Sequence, residues 1–445
     1  MTEQMKPSGV DWIGDIPNEW DYKQIAFMTD SRSGGTPDRN NISYWENGTI
    51  PWMSSGEVNK VNVYETDERI TELATKNSSA KIVKANSVMV ALNGQGKTKG
   101  MSAILRIDSA CNQSLCAFSC YDGVLYYEYL FWCFQTMYTY LRQMSGDDVR
   151  DGLAASYVKK QKIPVPEYKE QQAIAIFLDA QCSKIDGIIA DIEKQIETLQ
   201  KYKKSLITET VTKGLDKSAP MKDSGIEWIG DIPKHWETKR LKFILKHGAE
   251  SMKVGPFGSA LSGNDFIEEG KWVYNQRVVL DDNFEDNDTF ISEEKFKEMK
   301  GFVVNSGDIL ITTRGTIGKV AIVPEYAPQG ILHPCIIKFR VNKSLIMPEL
   351  LKIVFNESDF IKDQFTLMSN ATTIEVIYSY SLKDIILPVI PIEEQKSICS
   401  YLSEKCTTIN KVIAEKQKAL SVITKHKKSL IYEYVTGKKR VTEVN

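Results

Sequence analysis

MKPSGVDWIGDIPNEW, residues 5–20, is written a second time as MKDSGIEWIGDIPKHW, residues 221–236. Eleven of the sixteen positions are identical at a fixed offset of 216, with both tryptophans in register. Self-similarity at a fixed offset marks a duplicated structural plan, and it outranks the reading of any single element. A second pair of matches follows. Lys203-Lys204-Ser205-Leu206-Ile207 returns as Lys427-Lys428-Ser429-Leu430-Ile431, and Glu170-Gln171 returns as Glu394-Gln395, both at offset 224. The eight-residue change puts a length difference into the stretch between the borders. The chain therefore reads as border, middle region and helix, then all three again.

Those borders divide the 445 residues into a first border (1–20), a first middle region (21–165), a central helix (166–214), a linker with the second border (215–236), a second middle region (237–390), a C-terminal helix (391–437) and a basic tail (438–445). The two middle regions share only patches. Two unlike regions on one plan suggest two related surfaces for different targets. Duplication followed by drift is the plainer account.

Residues 170–213 contain no proline, and Leu178, Ile185, Ile192, Leu199 and Leu206 fall seven apart. Ile174 and Ile188 fill part of a companion row. This is the seam of a coiled coil. Pro164 and Pro166 precede it, and Gly214 ends it as C-terminal glycines do. The second copy repeats the row with Leu402, Ile409, Ile423 and Leu430; Lys416 interrupts it, and Ile413 and Leu420 add apolar contacts. Pro388 and Pro391 precede this copy and Gly437 closes it. Each helix is expected to span roughly 65 Å at ~1.5 Å per residue. A helix with one apolar seam needs a partner. Related copies in one chain pair most naturally antiparallel, with a globular region at either end and a pseudo-twofold axis between them.

Each middle region carries a strand, a glycine turn and a second strand: GDILITTRGTIGKVAIV at 307–323, and NSVMVALNGQGKTKGMSAIL at 86–105. Val88 to Val90 and Ile309 to Ile311 are β-like, and helical segments are expected near 124–143 and 347–365. The mixture predicts an α+β fold. The turns hold Arg314, Lys319, Gln95, Lys97 and Lys99. Small-residue loops occupy matching places, SRSGGTP at 31–37 and GPFGS at 255–259. Small residues let backbone approach a ligand closely. Arg32, Asn275, Gln276 and Arg277 have the chemistry for phosphates or base edges, arginine suiting guanine and asparagine or glutamine suiting adenine. Taken singly, each is an ordinary solvated residue.

ALNGQGKT at 91–98 comes near a phosphate-binding loop, with Ala91 where the first glycine belongs. Such a loop needs a helix directly after it to hold phosphates. A strand is predicted there instead, which argues against an NTPase built on Lys97 and Thr98.

Composition sets the outer bounds. The apolar share is 42% and the charged share 26%, ordinary for a globular protein. No stretch of 18 apolar residues is present, and MTEQMKPSGV lacks the basic-then-apolar form of a signal peptide. Eight cysteines show no paired metal spacing, so reduced thiols in a cytoplasmic protein, and no metal site, are expected. The net charge of −2 lacks the basic excess of a nucleic-acid binder. DNA binding would rest on local charge, such as Lys201, Lys203 and Lys204, their counterparts Lys425, Lys427 and Lys428, and the tail Lys438, Lys439 and Arg440. Helix-end cations also serve simply to offset the helix dipole.

Two diverged middle regions, each closed by a proline–EQ segment and a long helix, resemble the specificity subunit of type I restriction-modification systems. The motifs are Ile163-Pro164-Val165-Pro166 with Glu170-Gln171, and Leu387-Pro388-Val389-Ile390-Pro391 with Glu394-Gln395. The run GDILITTRGTIGKVAIV is similar to that family's target recognition domains; the first copy departs from it in a longer turn with Lys97, Thr98 and Lys99. The resemblance implies a non-catalytic subunit whose two domains each read half of a split DNA target. It implies paired helices that set the spacer and bind two methyltransferase subunits, with restriction subunits joining that core. S-adenosylmethionine would belong to the methyltransferase, ATP and magnesium to the restriction subunit, and no cofactor to this chain. The candidate contacts to double-stranded DNA, chosen from loop position and side-chain chemistry, are Arg32, Ser33, Gly34, Thr36, Asn93, Gln95, Lys97 and Lys99 in the first domain. In the second they are Gly258, Ser259, Asn275, Gln276, Arg277, Arg314, Thr316 and Lys319. The competing readings are the NTPase and a coiled-coil scaffold that binds no DNA.

Overall fold

The computed structural model describes residues 4–94, 96–143, 152–248, 251–257, 260–369 and 376–441. They form two compact units that interleave along the chain: one holds residues up to Glu193 and from Lys418 onward, the other Lys194–Gln417. Each unit thus contains one middle region, the start of the helix that follows it, and the end of the other long helix.

In the first unit a short strand β1 (Asp21–Gln24) is followed by β2 (Thr29–Ser33), β3 (Asn62–Val63), β4 (Ser87–Ala91), β5 (Ser102–Leu105), β6 (Leu115–Cys120) and β7 (Lys162–Val165). The main sheet runs β2-β6-β4-β5-β3, and β1 pairs with β7 in a separate ladder. In the second unit the corresponding strands are β8 (Glu237–Arg240), β9 (Met252–Val254), β10 (Ile309–Thr312), β11 (Val320–Ile322), β12 (Ile336–Phe339) and β13 (Ile386–Val389). Its sheet runs β9-β12-β10-β11, the same order as β2-β6-β4-β5, and β8 pairs with β13 as β1 pairs with β7. The middle strands are buried along their whole length, Ser87–Ala91 and Ile309–Thr312 alike. That explains why both read as continuous apolar runs, not as alternating ones. Helices stand where expected, Tyr127–Gln143 in the first unit and Pro348–Glu357 with Asp359–Ser369 in the second, the latter pair broken at Ser358. The fold is α+β, and the strand after the ALNGQGKT loop, β5, occupies the place where a phosphate loop would have its helix.

The long helices run Tyr168–Lys213 and Ile392–Val435. Gly214 (φ +76°) and Gly437 (φ +72°) turn the chain out in the left-handed conformation that favours glycine. In the first unit Ile174, Leu178 and Cys182 share a core with Ile431 and Val435, and Lys427 Nζ lies 2.6 Å from Asp186. In the second, Ile207 and Val211 share a core with Ile398 and Leu402, and Lys416 Nζ donates to Gln195 Oε1 at 2.5 Å. The start of each helix therefore meets the end of the other, which is antiparallel pairing.

The seam is tightest at its start. Leu178 and Leu402 are buried, as are Ile185 and Ile409. Ile192, Leu199, Leu206, Ile423 and Leu430 are only half-buried. At the far end the buried positions have moved one residue on, to Ile207 and Ile431, then Val211 and Val435. A helix of 3.6 residues per turn drifts against a strict seven-residue row, so the row slides off the contact line. Ile188, assigned above to the companion row, is instead 48% exposed; a two-helix pair has no third face to cover it. No helix among the described residues is long and apolar enough to cross a membrane.

Candidate nucleic-acid interface

The repeated motifs first explain how each middle region is held. Gln171 is buried and spends its whole carboxamide on backbone: Oε1 accepts from Tyr126 N–H at 2.8 Å, and Nε2 donates to the carbonyls of Val124 (3.1 Å) and Pro166 (3.0 Å). Gln395 does the same with Met347 N–H (2.7 Å) and the carbonyls of Leu345 (2.8 Å) and Ile390 (2.7 Å). The glutamate before each glutamine accepts the indole N–H of the border tryptophan, Trp20 to Glu170 at 3.1 Å and Trp236 to Glu394 at 3.0 Å. The second glutamate oxygen is met differently. His235 Nε2 stands 2.7 Å from Glu394. In the first unit the matching residue is Glu19, and Arg440 from the tail pairs with both Glu19 and Glu170, the latter at 2.7 Å. Burial pushes the Glu170 carboxyl up from its usual range, opposed by Arg440 and Trp20.

Several basic residues named above are engaged within the chain. Lys203 meets Glu357 at 3.1 Å, Lys427 meets Asp186, Lys438 Nζ donates to the Ile13 carbonyl at 2.8 Å, and Lys439 meets Glu433 at 2.8 Å.

Some of the candidate contacts stand at one loop junction in each unit, and the others lie apart from it. In the first, Gly34 leaves β2 with its N–H on the Leu115 carbonyl at 3.2 Å. A Cβ on Gly34 would stand 2.2 Å from the carbonyl oxygens of Cys111 and Asn112, so only glycine fits. Thr36 is exposed and bonds Gln113; Asn93 is exposed just beyond β4. Ser33 is exposed opposite Cys116. Arg32 lies apart, in a hollow lined also by Ile82 and Lys84, its guanidinium on Asp30 at 2.7 Å. Lys97 is exposed on the longer turn, and its carbonyl accepts from Tyr138 Oη at 2.7 Å. Lys99 is buried, unlike the exposed turn residue expected; its carbonyl accepts from Arg142 as the turn folds back on the Tyr127–Gln143 helix. Gln95 lies outside the described residues.

In the second unit, Gly255 leaves β9 with its N–H on the Ile336 carbonyl at 2.9 Å, and a Cβ there would stand 2.1 Å from the His333 carbonyl oxygen. Arg314 and Thr316 are exposed on the β10–β11 turn. Lys319 faces inward and donates to the Asn356 carbonyl at 2.7 Å. Asn275 caps the helix Gln276–Asp281, accepting from Val278 N–H at 3.2 Å and donating to Asp288 at 2.9 Å. Gln276 reaches the Thr316 carbonyl at 3.4 Å. Arg277 is clamped by Asp288 at 3.1 Å and by Asp286. Bonds from Thr289 first, then Arg277, hold the Asp288 carboxyl below the usual range. Gly258 and Ser259 lie outside the described residues. Sequence reading missed Gln113 and Tyr378, which share these junctions and lie outside the loops singled out; Phe257 lay inside the chosen GPFGS loop but was not named as a contact. Around the first junction burial pushes the thiols up, Cys111 to about 12 and Cys116 to about 11.

Residues 17–198 and 233–421 match the family model for the type I restriction modification DNA specificity domain. The chain is 28% identical to the type I restriction enzyme MjaIX specificity subunit of Methanocaldococcus jannaschii, over 97% of this chain and 96% of that protein. It is 30% identical to the EcoR124I/EcoR124II specificity subunit of Escherichia coli, over 41% and 46% of the two chains. A chain from a solved type I R-M system structure shares the fold, with a TM-score of 0.69 at 15% identity across 95% of this chain and 99% of that one. With both of its repeats matched by one family model, this chain belongs to the specificity subunits of type I restriction-modification systems.

Proposed function

We propose that the chain is the DNA-reading, non-catalytic subunit of a cytoplasmic type I complex. Each unit reads one half of a split target in double-stranded DNA, and the paired helices fix the spacer and bind two methyltransferase subunits. Restriction subunits, with ATP and magnesium, join that core. S-adenosylmethionine is held by the methyltransferase, which methylates adenine, and this chain holds no cofactor. The observation that carries the reading is the duplicated frame. The same glutamine and tryptophan–glutamate contacts hold two sheets of one strand order, while the exposed junction residues differ. A frame built twice under unlike loops is what reading two half-sites requires. The modest local charge supports weak affinity for the chain alone, with partners adding phosphate contacts.

The test is to map methylated adenines in the host genome with and without this gene. A bipartite motif should vanish with the gene. Persistence of every motif, or loss of a continuous unsplit one, counts against the proposal. A gel shift of the assembled complex on random DNA separates it from a scaffold that ignores DNA.

A further inference from the structure

The two junctions can be aligned residue by residue from backbone bonds alone. Ser33 lies opposite Cys116 as Val254 lies opposite Ile337, and Ala91 opposite Leu115 as Thr312 opposite Ile336. Leu92 N–H donates to the Ser114 carbonyl (2.7 Å) as Thr313 N–H does to Cys335 (3.0 Å). Leu153 N–H donates to Leu92 (2.8 Å) as Ile377 N–H does to Thr313 (2.9 Å). This register makes Asn93 the counterpart of Arg314, Thr36 of Phe257, Gln113 of Pro334 and Ala154 of Tyr378. The backbone is one; the side chains are chemically opposite. The first junction presents a hydroxyl and two carboxamides. The second frames a cavity of about 250 Å³ with Phe257, Pro334, Tyr378 and Arg314 on its wall, and its Phe257 is 80% exposed.

Among the candidate arginines, Arg32 and Arg277 are committed to aspartates. The Arg314 guanidinium is exposed and makes no hydrogen bond or ion pair among the described residues. A guanidinium already paired must lose that partner to read a base; Arg314 need not. Resting on the DNA-reading role proposed above, we infer that 314 and its counterpart 93 are the principal base-discriminating positions of the two units. Arg314 reads a guanine through its O6 and N7 acceptors, with Phe257 beside it suited to a thymine methyl. Asn93, with Gln113, reads an adenine through N6 and N7.

The assembled methyltransferase complex, acting on a random-sequence plasmid library with methylated sites read by long-read sequencing, tests this. Wild type should yield a bipartite motif with a guanine in one half-site and an adenine in the other. Arg314→Gln should reduce the preference for that guanine about 10-fold or more and leave the other half-site and the spacer unchanged. Asn93→Ala should relax the adenine of the opposite half-site only. Arg314→Lys should keep part of the guanine preference, and Phe257→Thr should alter a position next to it; these two are read if Arg314→Gln does not fold. An unchanged motif in the variants, or activity lost equally on every library sequence, overturns the inference. A wild-type complex that methylates without a bipartite motif overturns the DNA-reading role itself, and this inference with it, before any variant is made.

Discussion

Replacing Gln171 by alanine should detach the first middle region from the central helix at one point. The side chain makes three bonds, to Tyr126 N–H and to the carbonyls of Val124 and Pro166. A hydrogen bond contributes ~1 kcal/mol net, while a buried partner left without one costs about 1–3 kcal/mol. Pro166 is buried, whereas Val124 is exposed and water can replace the lost donor there. The sum is about 3 kcal/mol, a factor of roughly 100 in the local opening equilibrium. Amide exchange of the full chain reads it directly. Tyr126 N–H should lose about two decades of protection while Met347 N–H, bonded to Gln395, keeps its own. Gln395→Ala should reverse the pattern. Gln171→Glu should do more damage than alanine at neutral pH, because a carboxylate would face two carbonyl oxygens. Protection of Tyr126 unchanged within a factor of two, or lost equally at Met347, would refute the account of the EQ motif as a side chain clamping backbone.

Deleting one heptad from each long helix, residues 189–195 and 413–419, shortens the pair by ~10 Å, about three base pairs of B-DNA; the methylated motif should keep its half-sites and change its spacer, and a changed half-site with an unchanged spacer sinks the ruler idea. Gly34→Ala and Gly255→Ala place a Cβ within 2.2 Å and 2.1 Å of carbonyl oxygens and should each cost about 1–3 kcal/mol in urea unfolding, whereas Gly56→Ala, with nothing within 4 Å, should cost far less. Asp288 has its folded value lowered by Thr289 and Arg277, so its contribution to stability is present above the ordinary aspartate range and lost as pH falls through the lowered value; Asp288→Asn should remove that part of the acid dependence of unfolding. The same variant loosens Arg277 and should steepen the salt dependence of DNA binding by about one charge, and an unchanged slope would show that Arg277 does not reach phosphate.

The repeat, the paired helices, the α+β middles and their central strands were legible in sequence because each rests on a local pattern: a fixed offset, a seven-residue spacing, a run of β-branched residues. What sequence could not give was set by packing. The sliding of the seam from Leu206 to Ile207 depends on how two helices wind about each other. The exposure of Ile188 depends on a pair lacking a third helix. Lys319 and Lys99 look like loop cations, yet one is drawn inward by the Asn356 carbonyl and the other is buried where its turn folds onto a helix. Arg277 looked available because two of its three aspartate neighbours, Asp286 and Asp288, are brought back by the chain beyond its helix, while Asp281 lies one helical turn on.

The way the frame is bonded explains why its two copies can differ so much above it. Among the described residues, the Gln171 and Gln395 side chains hydrogen-bond only to main-chain groups, in the middle regions and at their edges. The junctions are tied by N–H to carbonyl bonds, from Gly34, Leu92 and Leu153 in one and Gly255, Thr313 and Ile377 in the other. Main-chain groups are the same whatever the side chain, so substitutions at Thr36, Asn93 and Gln113, or at Phe257, Pro334 and Arg314, leave those bonds in place. The glycines complete the separation, because a backbone pressed against carbonyl oxygens fixes the loop's path without help from its neighbours' side chains. Side-chain pairs such as Lys203–Glu357 and Trp132–Asp179 tie the middle regions to the helices away from the junctions; had the junctions themselves been held that way, each change of exposed chemistry would have needed a matching change below it. A backbone-bonded frame lets the exposed positions vary one at a time, at small cost in stability.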